Sequence, residues 1–202
     1  MSEPIFKSIF GECWDDLPAV MKKHYANTPF SSDVTKTSGL MKVEGSKIWS
    51  LLSPFARLFG LLVPFTGNNI PVTVAFRSAP ENNHFVFDRI FQFPDKKPYQ
   101  FYSTLHPIGK SEVIEVMKLG IGWKCEFKWD GSKVLLLHKG YCLKLFGKFI
   151  PLPIGFLFGK GYAEEKAIDD DHFHMMMEVV HPWWGKILGY SGTFKMLNGN
   201  TI

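Results

Sequence analysis

A chain of 202 residues is long enough to bury most of its apolar surface, and residues 1–202 are expected to form a single domain. The net charge is only +4, from 23 basic and 19 acidic residues, and the lysines are scattered, which argues against a nucleic-acid-binding protein. Hydrophobic residues make up 46% of the chain, and its 19 Phe residues suit a wide core or an apolar cavity.

The cysteines and the first residues indicate a cellular compartment. Cys13, Cys125 and Cys142 are odd in number and widely spaced, which predicts free thiols in a reducing environment. The first residues lack the basic and apolar regions of a signal peptide. Together these features favour a cytoplasmic protein.

The first third of the chain has helical spacing at two places. Residues 4–25 are predicted to be helical with a break near Pro18, and a strand is predicted at residues 37–43. Ser46 is a suitable N-cap for a further helix over residues 46–63. The apolar stripe of this helix comprises Ile48, Leu51, Leu52, Phe55, Leu58, Phe59 and Leu62. Such a stripe favours burial against a sheet, with contact to a membrane surface as the alternative.

From residue 70 onward, apolar and polar residues alternate as they do in strands. The pattern predicts strands over residues 70–76, 85–93, 99–105, 113–119, 123–129, 133–145, 162–168, 172–180 and 188–197. Asp130 and Gly131 supply a hairpin turn within this series. The predicted fold is α+β, a long curved antiparallel sheet or barrel of about 8–10 strands with two or three helices near the N-terminus.

Residues 143–158 form a conspicuous apolar band. Pro151, Pro153 and three glycines exclude a continuous helix through it. Lys144 and Lys148 interrupt the band well short of the roughly 20 apolar residues that a membrane span needs. The band therefore predicts a strand end followed by an extended crossing, which closes one end of an apolar interior.

Arg89 shares one face of its predicted strand with several phenylalanines, including Phe87 and Phe91. If this face is turned inward, a guanidinium lies among aromatic rings and requires an anionic partner. Either a protein carboxylate, such as Glu126 or Glu178, or the head group of an acidic ligand meets this requirement. Arg89, Phe87 and Phe91 are therefore candidate ligand-binding residues.

His172 and His174 are predicted to lie on one side of a strand together with Glu178. Two histidines and a carboxylate are a conceivable metal-binding set, but no third spaced ligand follows, so no metal site is predicted. The nucleophile elbow and the Gly-rich nucleotide motif are both absent, so neither catalytic residues nor a cofactor are assigned. His174 and Glu178 remain candidate ligand-binding residues.

The order of motifs resembles a bacterial domain-of-unknown-function family, number 4166. The matching segments are residues 17–24, 39–45, 70–74, 88–91, 119–120, 150–153, 172–175, 181–182, 185 and 190–192. The resemblance implies a stand-alone version of a domain that is often fused to saccharopine-dehydrogenase-like Rossmann proteins, and hence an oxidoreductase as a partner. It implies no catalytic residues. His24, Arg89 and the segment 151–153 match the pattern, whereas Phe87 and Asp88 stand where a Trp before the Arg is expected.

Three functions are compatible with these features. The first is a non-catalytic module that holds an apolar or amphipathic, lipid-like small molecule inside the curved sheet, with Arg89 as its polar anchor. The second is an enzyme or oxidoreductase accessory domain that uses Arg89 with a histidine (His24, His172 or His174) and a glutamate in one cleft. The third is a peripheral membrane or partner-binding module that uses the helix 46–63 and the corner 182–184.

Overall fold

The computed structural model describes residues 2–59 and 62–197, without the side chains of residues 55–59. Its first elements are helix α1 (Ile5–Phe10), a 3₁₀ turn (Gly11–Trp14) and helix α2 (Ala19–His24). Pro18 is the N-cap of α2, a place where its fixed φ is tolerated. The predicted break near this proline is therefore confirmed.

The strands of the described residues form one eleven-stranded sheet. They are β1 (Val34–Gly45), β2 (Gly67–Ser78), β3 (Phe85–Phe91), β4 (Tyr99–Gly109), β5 (Glu112–Val116), β6 (Ile121–Trp129), β7 (Val134–Leu145), β8 (Lys148–Leu152), β9 (Lys160–Ala167), β10 (His172–His181) and β11 (Gly185–Leu197). Helix α3 (Lys47–Phe59) follows β1, a second 3₁₀ turn (Lys118–Gly120) follows β5, and helix α4 (Gly155–Phe158) follows β8. The predicted strands are present, and β8 is a strand that the pattern did not predict.

The sheet closes into an antiparallel barrel. Each strand from β1 to β7 pairs with its successor, β7 also pairs with β9, and β9 to β11 continue the ring. The ring closes where β11 pairs with β1, from Lys36 opposite Leu197 to Gly45 opposite Leu188. Within the described part of the chain β8 pairs with β7 alone, so ten strands form the wall. The predicted α+β fold with a curved antiparallel barrel is confirmed.

Alternation along each strand separates the interior of the barrel from its outer face. On β3 the side chains of Phe85, Arg89 and Phe91 are buried, and Phe87 between them is half-buried. The phenylalanine face of this strand is therefore turned inward, and it carries Arg89 into the interior.

Helices α1 and α2 fill one end of the barrel. We call this end, with the helices and the loop 168–171, the plugged end. The Phe6 ring is the centre of an aromatic cluster there. Its centroid lies 4.4 Å from Tyr25, 5.1 Å from Phe127 and 5.3 Å from Phe85. Lys23 of α2 pairs with Asp171 at 2.7 Å, which ties the helix to the loop. This end of the interior is a packed core.

The opposite end, which we call the open end, is bordered by α3, the turn 118–120, α4 and the turn between β10 and β11. Helix α3 begins where the Ser46 hydroxyl accepts a hydrogen bond from the Trp49 backbone N–H at 3.3 Å, which confirms the predicted N-cap. In the predicted stripe Ile48 and Leu52 are half-buried and Leu51 is exposed. Three further stripe positions lie outside the described side chains, namely Phe55, Leu58 and Phe59.

The apolar band 143–158 forms the end of β7, all of β8 and α4. Pro151 lies opposite Cys142 in the β7–β8 ladder, so the band turns back as a hairpin, and the predicted extended crossing is wrong there. Proline is tolerated because β8 is an edge strand. No helix among the described residues is long and apolar enough to span a membrane.

Candidate functional site

A cavity of about 480 Å³ lies inside the barrel at the open end. Its wall is formed by α3, α4, β4 to β7 and β9 to β11, and the side chains that line it are mainly aromatic and aliphatic. They include Ile48, Trp49, Leu52, Trp123, Met177 and Val179. Gly161 lets the Trp123 indole lie flat against the wall, because a Cβ at this position would lie 3.0 Å from the ring.

The cavity reaches the protein surface between α3, α4 and the β10–β11 turn. Each of these elements contributes one side chain that both lines the cavity and is exposed: Leu51 at 74%, Leu157 at 51% and Trp184 at 48%. These three side chains form the mouth of the cavity. The part of the apolar band that forms α4 therefore lies at the mouth.

His181 holds two sides of the mouth together. Its imidazole is buried, and its Nδ1 accepts a hydrogen bond from the Trp183 backbone N–H at 3.2 Å. Nε2 therefore carries the proton and donates to the carbonyl oxygen of Phe156 at 2.8 Å. The ring also stacks on Trp184, with centroids 4.1 Å apart. His181 thus links α4 to the β10–β11 turn.

A buried ion pair forms the inner end of the cavity. Glu115 lines the cavity and accepts hydrogen bonds from Arg89 at 2.6 Å and from the Ser103 hydroxyl at 2.7 Å. The guanidinium lies over the rings of Phe87 and Phe101, at 3.9 Å and 3.8 Å from their centroids. Its positive charge is therefore compensated within the protein.

Glu115 is a different partner from those that the sequence suggested for Arg89. Glu126 pairs with Lys139 at 2.6 Å, and Glu178 lies on the outward face of β10. Glu115 is in reach because β4 pairs with both β3 and β5, so that Arg89 extends across β4 to the next strand but one.

A second buried polar group lies between the ion pair and the plugged end. Glu165 accepts a hydrogen bond from the Tyr25 hydroxyl and lies 3.6 Å from Nε2 of His24. Burial raises the pKa of Glu165, but the interaction with His24 and the hydrogen bond from Tyr25 outweigh it, so the pKa falls below its usual 4.5. Burial and the neighbouring Glu165 raise the pKa of Tyr25 well above its usual range. The carboxylate is thus ionised and the phenol neutral at pH 7.

Four of the six predicted ligand-binding residues border a second, much smaller cavity. It has a volume of about 20 Å³ and is lined in part by His24, Phe87, Arg89 and Phe91. This is about the space of a single water molecule and far below the roughly 300 Å³ of an ordinary ligand site. The structure thus brings these four residues together, but not around the large cavity.

The other two predicted residues, His174 and Glu178, lie on the outer face of β10. His174 is exposed, whereas Met175 and Met177 line the two cavities. His172 and His174 therefore do not converge with Arg89 in one cleft. Among the described residues no group of three His, Cys, Asp or Glu side chains has a metal-binding arrangement.

Sequence reasoning missed Trp49, Trp123 and His181 as residues of the site. Trp49 lines the cavity, and its buried indole N–H has no hydrogen-bond partner among the described residues. Trp123 also lines the cavity and donates to Nδ1 of His138 at 2.9 Å. The available signals were the inward alternation of Trp123 and the aromatic pair that follows His181.

The fold and the site together define a class of protein: a ten-stranded antiparallel barrel, plugged at one end by helices, with an apolar cavity that opens at the other. The chain belongs to the family described as Domain of unknown function (DUF4166), whose model matches residues 17–194. This match confirms the resemblance that the sequence motifs indicated. No curated protein matches the chain.

Two solved structures show a distant similarity to the chain. The crystal structure of Rv2717c from M. tuberculosis is 11% identical, with 81% of this chain and 91% of that chain covered and a TM-score of 0.47. The dehydratase domain of the polyketide PpsC from Mycobacterium tuberculosis is 5% identical, with 94% of this chain and 84% of that chain covered and a TM-score of 0.20. At these scores neither similarity bears on what this chain does.

Proposed function

We propose that this protein is a binding module that holds an apolar or amphipathic small molecule in the cavity at the open end of the barrel. The observation that carries the proposal is the cavity itself, about 480 Å³ lined mainly by apolar side chains. Protein interiors are normally packed to the density of organic crystals, and side chains that face a void lose their dispersion contacts. A volume in the range of small-molecule sites, at the end opposite a well-packed core, favours an occupant.

The inner end of the cavity favours a ligand whose buried part is uncharged. Arg89 is already paired with Glu115 and Ser103, so an anionic head group placed there would compete with Glu115. The proposal therefore departs from an Arg89 anchor, and the ligand is one that brings no charge to this end.

The lining of the cavity narrows the class of ligand further. Its side chains are mainly apolar, and the charge of Glu115 is compensated by Arg89. The ligand class of the proposal is accordingly a neutral lipid-like molecule.

Two measurements test the proposal. Native mass spectrometry of the gently purified protein is expected to show a co-purified neutral lipid-like mass. Titration with N-phenyl-1-naphthylamine, a neutral dye that fluoresces in apolar surroundings, is expected to show saturable binding at one site, with competition by the co-purified molecule.

Two neighbouring residues of β10 provide a matched pair of variants. Met177 lines the cavity and Met176 faces outward. Met177→Trp fills part of the cavity and should weaken dye binding at least about tenfold, since it removes contacts worth more than about 1.4 kcal/mol. Met176→Trp should leave binding unchanged. Equal affinities in both variants, or no saturable dye binding and no co-purified mass in the unmodified protein, would refute the proposal.

A further inference from the structure

We propose that the open end of the barrel docks on the surface of an anionic lipid bilayer, with the mouth of the cavity turned toward the membrane. Docking needs only the outer surface of this end. It therefore stands or falls separately from the binding of a small molecule inside the barrel.

The first observation is a ring of exposed apolar side chains around the mouth, which we call the apolar rim. It consists of Leu51, Leu119, Phe156, Leu157, Trp183 and Trp184, all of them exposed. Three of these residues line the mouth. Leu119 lies between Met117 and Ile121, which line the cavity. The carbonyl oxygen of Phe156 accepts the hydrogen bond from His181. A concentration of large apolar side chains at one end of a molecule marks an interaction surface.

The second observation is the charge of the segments that carry or adjoin the rim. These segments are residues 46–54, 62–66, 93–99, 117–121, 153–161 and 180–187. They contain six lysines and one acidic residue, Asp95, and the adjoining Glu44 pairs with Lys186 at 3.1 Å, so positive charge still predominates. The lysines are Lys47, Lys96, Lys97, Lys118, Lys160 and Lys186, all exposed. Positive charge around an apolar surface complements a membrane that contains anionic lipids.

The opposite end of the molecule has the reverse charge. Residues 2–33 and 168–171, which form the helices and the loop of the plugged end, contain eight acidic residues and three lysines. This separation makes the protein an electric dipole whose positive pole is the open end. An anionic surface would thus attract the open end and repel the plugged end before any contact is made.

The composition of the rim favours a bilayer over a protein or nucleic-acid partner. Trp183 is 74% exposed, and tryptophan is the side chain enriched where hydrocarbon meets lipid head groups. Leucine and phenylalanine can insert below that level while the lysines remain among the head groups. Docking in this orientation would let an apolar ligand pass between the bilayer and the cavity without crossing water.

Vesicle flotation tests the proposal. The protein is mixed with vesicles of phosphatidylcholine alone and with vesicles that also contain phosphatidylserine. Binding is expected to the second kind and to weaken as salt is raised, because surface charge is screened over about 10 Å at moderate ionic strength. Trp183→Ala should weaken binding without altering the thermal midpoint, since the side chain is exposed.

A charge-reversed pair provides the sharpest comparison. Lys118→Glu combined with Lys160→Glu should lower vesicle binding more than about tenfold, because each lysine near an anionic surface contributes about fivefold. Lys110→Glu combined with Lys195→Glu makes the same change in net charge away from the open end. This control pair should bind vesicles almost as well as the unmodified protein.

Three outcomes would overturn the proposal: no flotation of the unmodified protein with either vesicle, equal loss in both charge-reversed pairs, or a dimer in the absence of lipid that Trp183→Ala dissolves. The last result would assign the rim to a second copy of the chain. Dye titration without vesicles separates this proposal from the previous one. If the unmodified protein floats with anionic vesicles but does not bind the dye, only the proposal of a small-molecule site is refuted. If it binds the dye but does not float, only the docking proposal is refuted.

Discussion

The two ends of the barrel differ in how the wide interior is filled. At the plugged end α1 and α2 insert Phe6 and Tyr25 among aromatic side chains of the strands. At the open end α3 and α4 border a cavity of about 480 Å³. The Arg89–Glu115 pair and the His24–Glu165 group lie between the two.

On the proposal above, the part of the chain that stabilises the fold and the part that binds a ligand lie at different ends. Burial of large apolar side chains at the plugged end supplies stability, because each contributes on the order of 2 kcal/mol. The apolar side chains at the open end border a cavity and therefore contribute less packing. A core requires no such space, so the open end is the region to test for function.

The largest expected effect separates the two ends directly. Phe6→Ala creates a cavity at the plugged end and should lower the free energy of unfolding by about 4 kcal/mol. Leu52→Ala enlarges a space that already exists and should lower it by only about 1 kcal/mol. Urea denaturation followed by far-UV circular dichroism measures both. Equal losses would mean that the open end is as tightly packed as the plugged end, and the comparison would fail.

The next effect concerns the ion pair at the inner end of the cavity. Glu115→Leu leaves the Arg89 guanidinium buried without its counter-charge and should lower the free energy of unfolding by about 3 kcal/mol. The double change Arg89→Met with Glu115→Leu should restore stability to within about 1 kcal/mol of the original.

Dye binding sharpens the same comparison. The double variant should still bind the neutral dye, because an uncharged ligand does not depend on an ionic contact with Arg89 or Glu115. A double variant that is stable yet has lost dye binding would return Arg89 to the position of ligand anchor that the sequence suggested.

The sequence predicted the barrel well because alternation alone identifies strands. It left open whether the phenylalanine face of β3 is turned inward, and the burial of Phe85, Arg89 and Phe91 answers that question. It could not supply Glu115 as the partner, because that contact depends on how β3, β4 and β5 pair. The short run around Glu115 is buried on both faces, since Phe149 of β8 covers the outside of Ile114.

On β10 the candidate residues from the sequence and the two cavities lie on opposite faces. Alternation divides the side chains of β10 between two faces. The sequence analysis chose candidates from the face with His174 and Glu178, because histidine and glutamate can bind ligands. The opposite face, with Phe173, Met175 and Met177, is the more apolar and is the one that faces inward. The cavity itself was beyond sequence reasoning, since the same apolar residues could equally have packed solidly.

The smallest expected effect concerns the buried group of Glu165, His24 and Tyr25, which lies between the two ends. It is measured as the dependence of the free energy of unfolding on pH. Glu165 has a pKa below its usual 4.5 in the folded protein, so its contribution to stability is complete above about pH 4.5 and is lost as the pH falls through the folded pKa. Glu165→Gln keeps an acceptor for the Tyr25 hydroxyl but cannot titrate. Unfolding free energies measured from neutral pH into the acid range should therefore fall less steeply in this variant, by up to about 1.4 kcal/mol per pH unit. Glu178→Gln removes a carboxylate from the outer face as a control, and a slope reduced equally by both changes would show that the lowered pKa of Glu165 is not what makes stability depend on pH in this range.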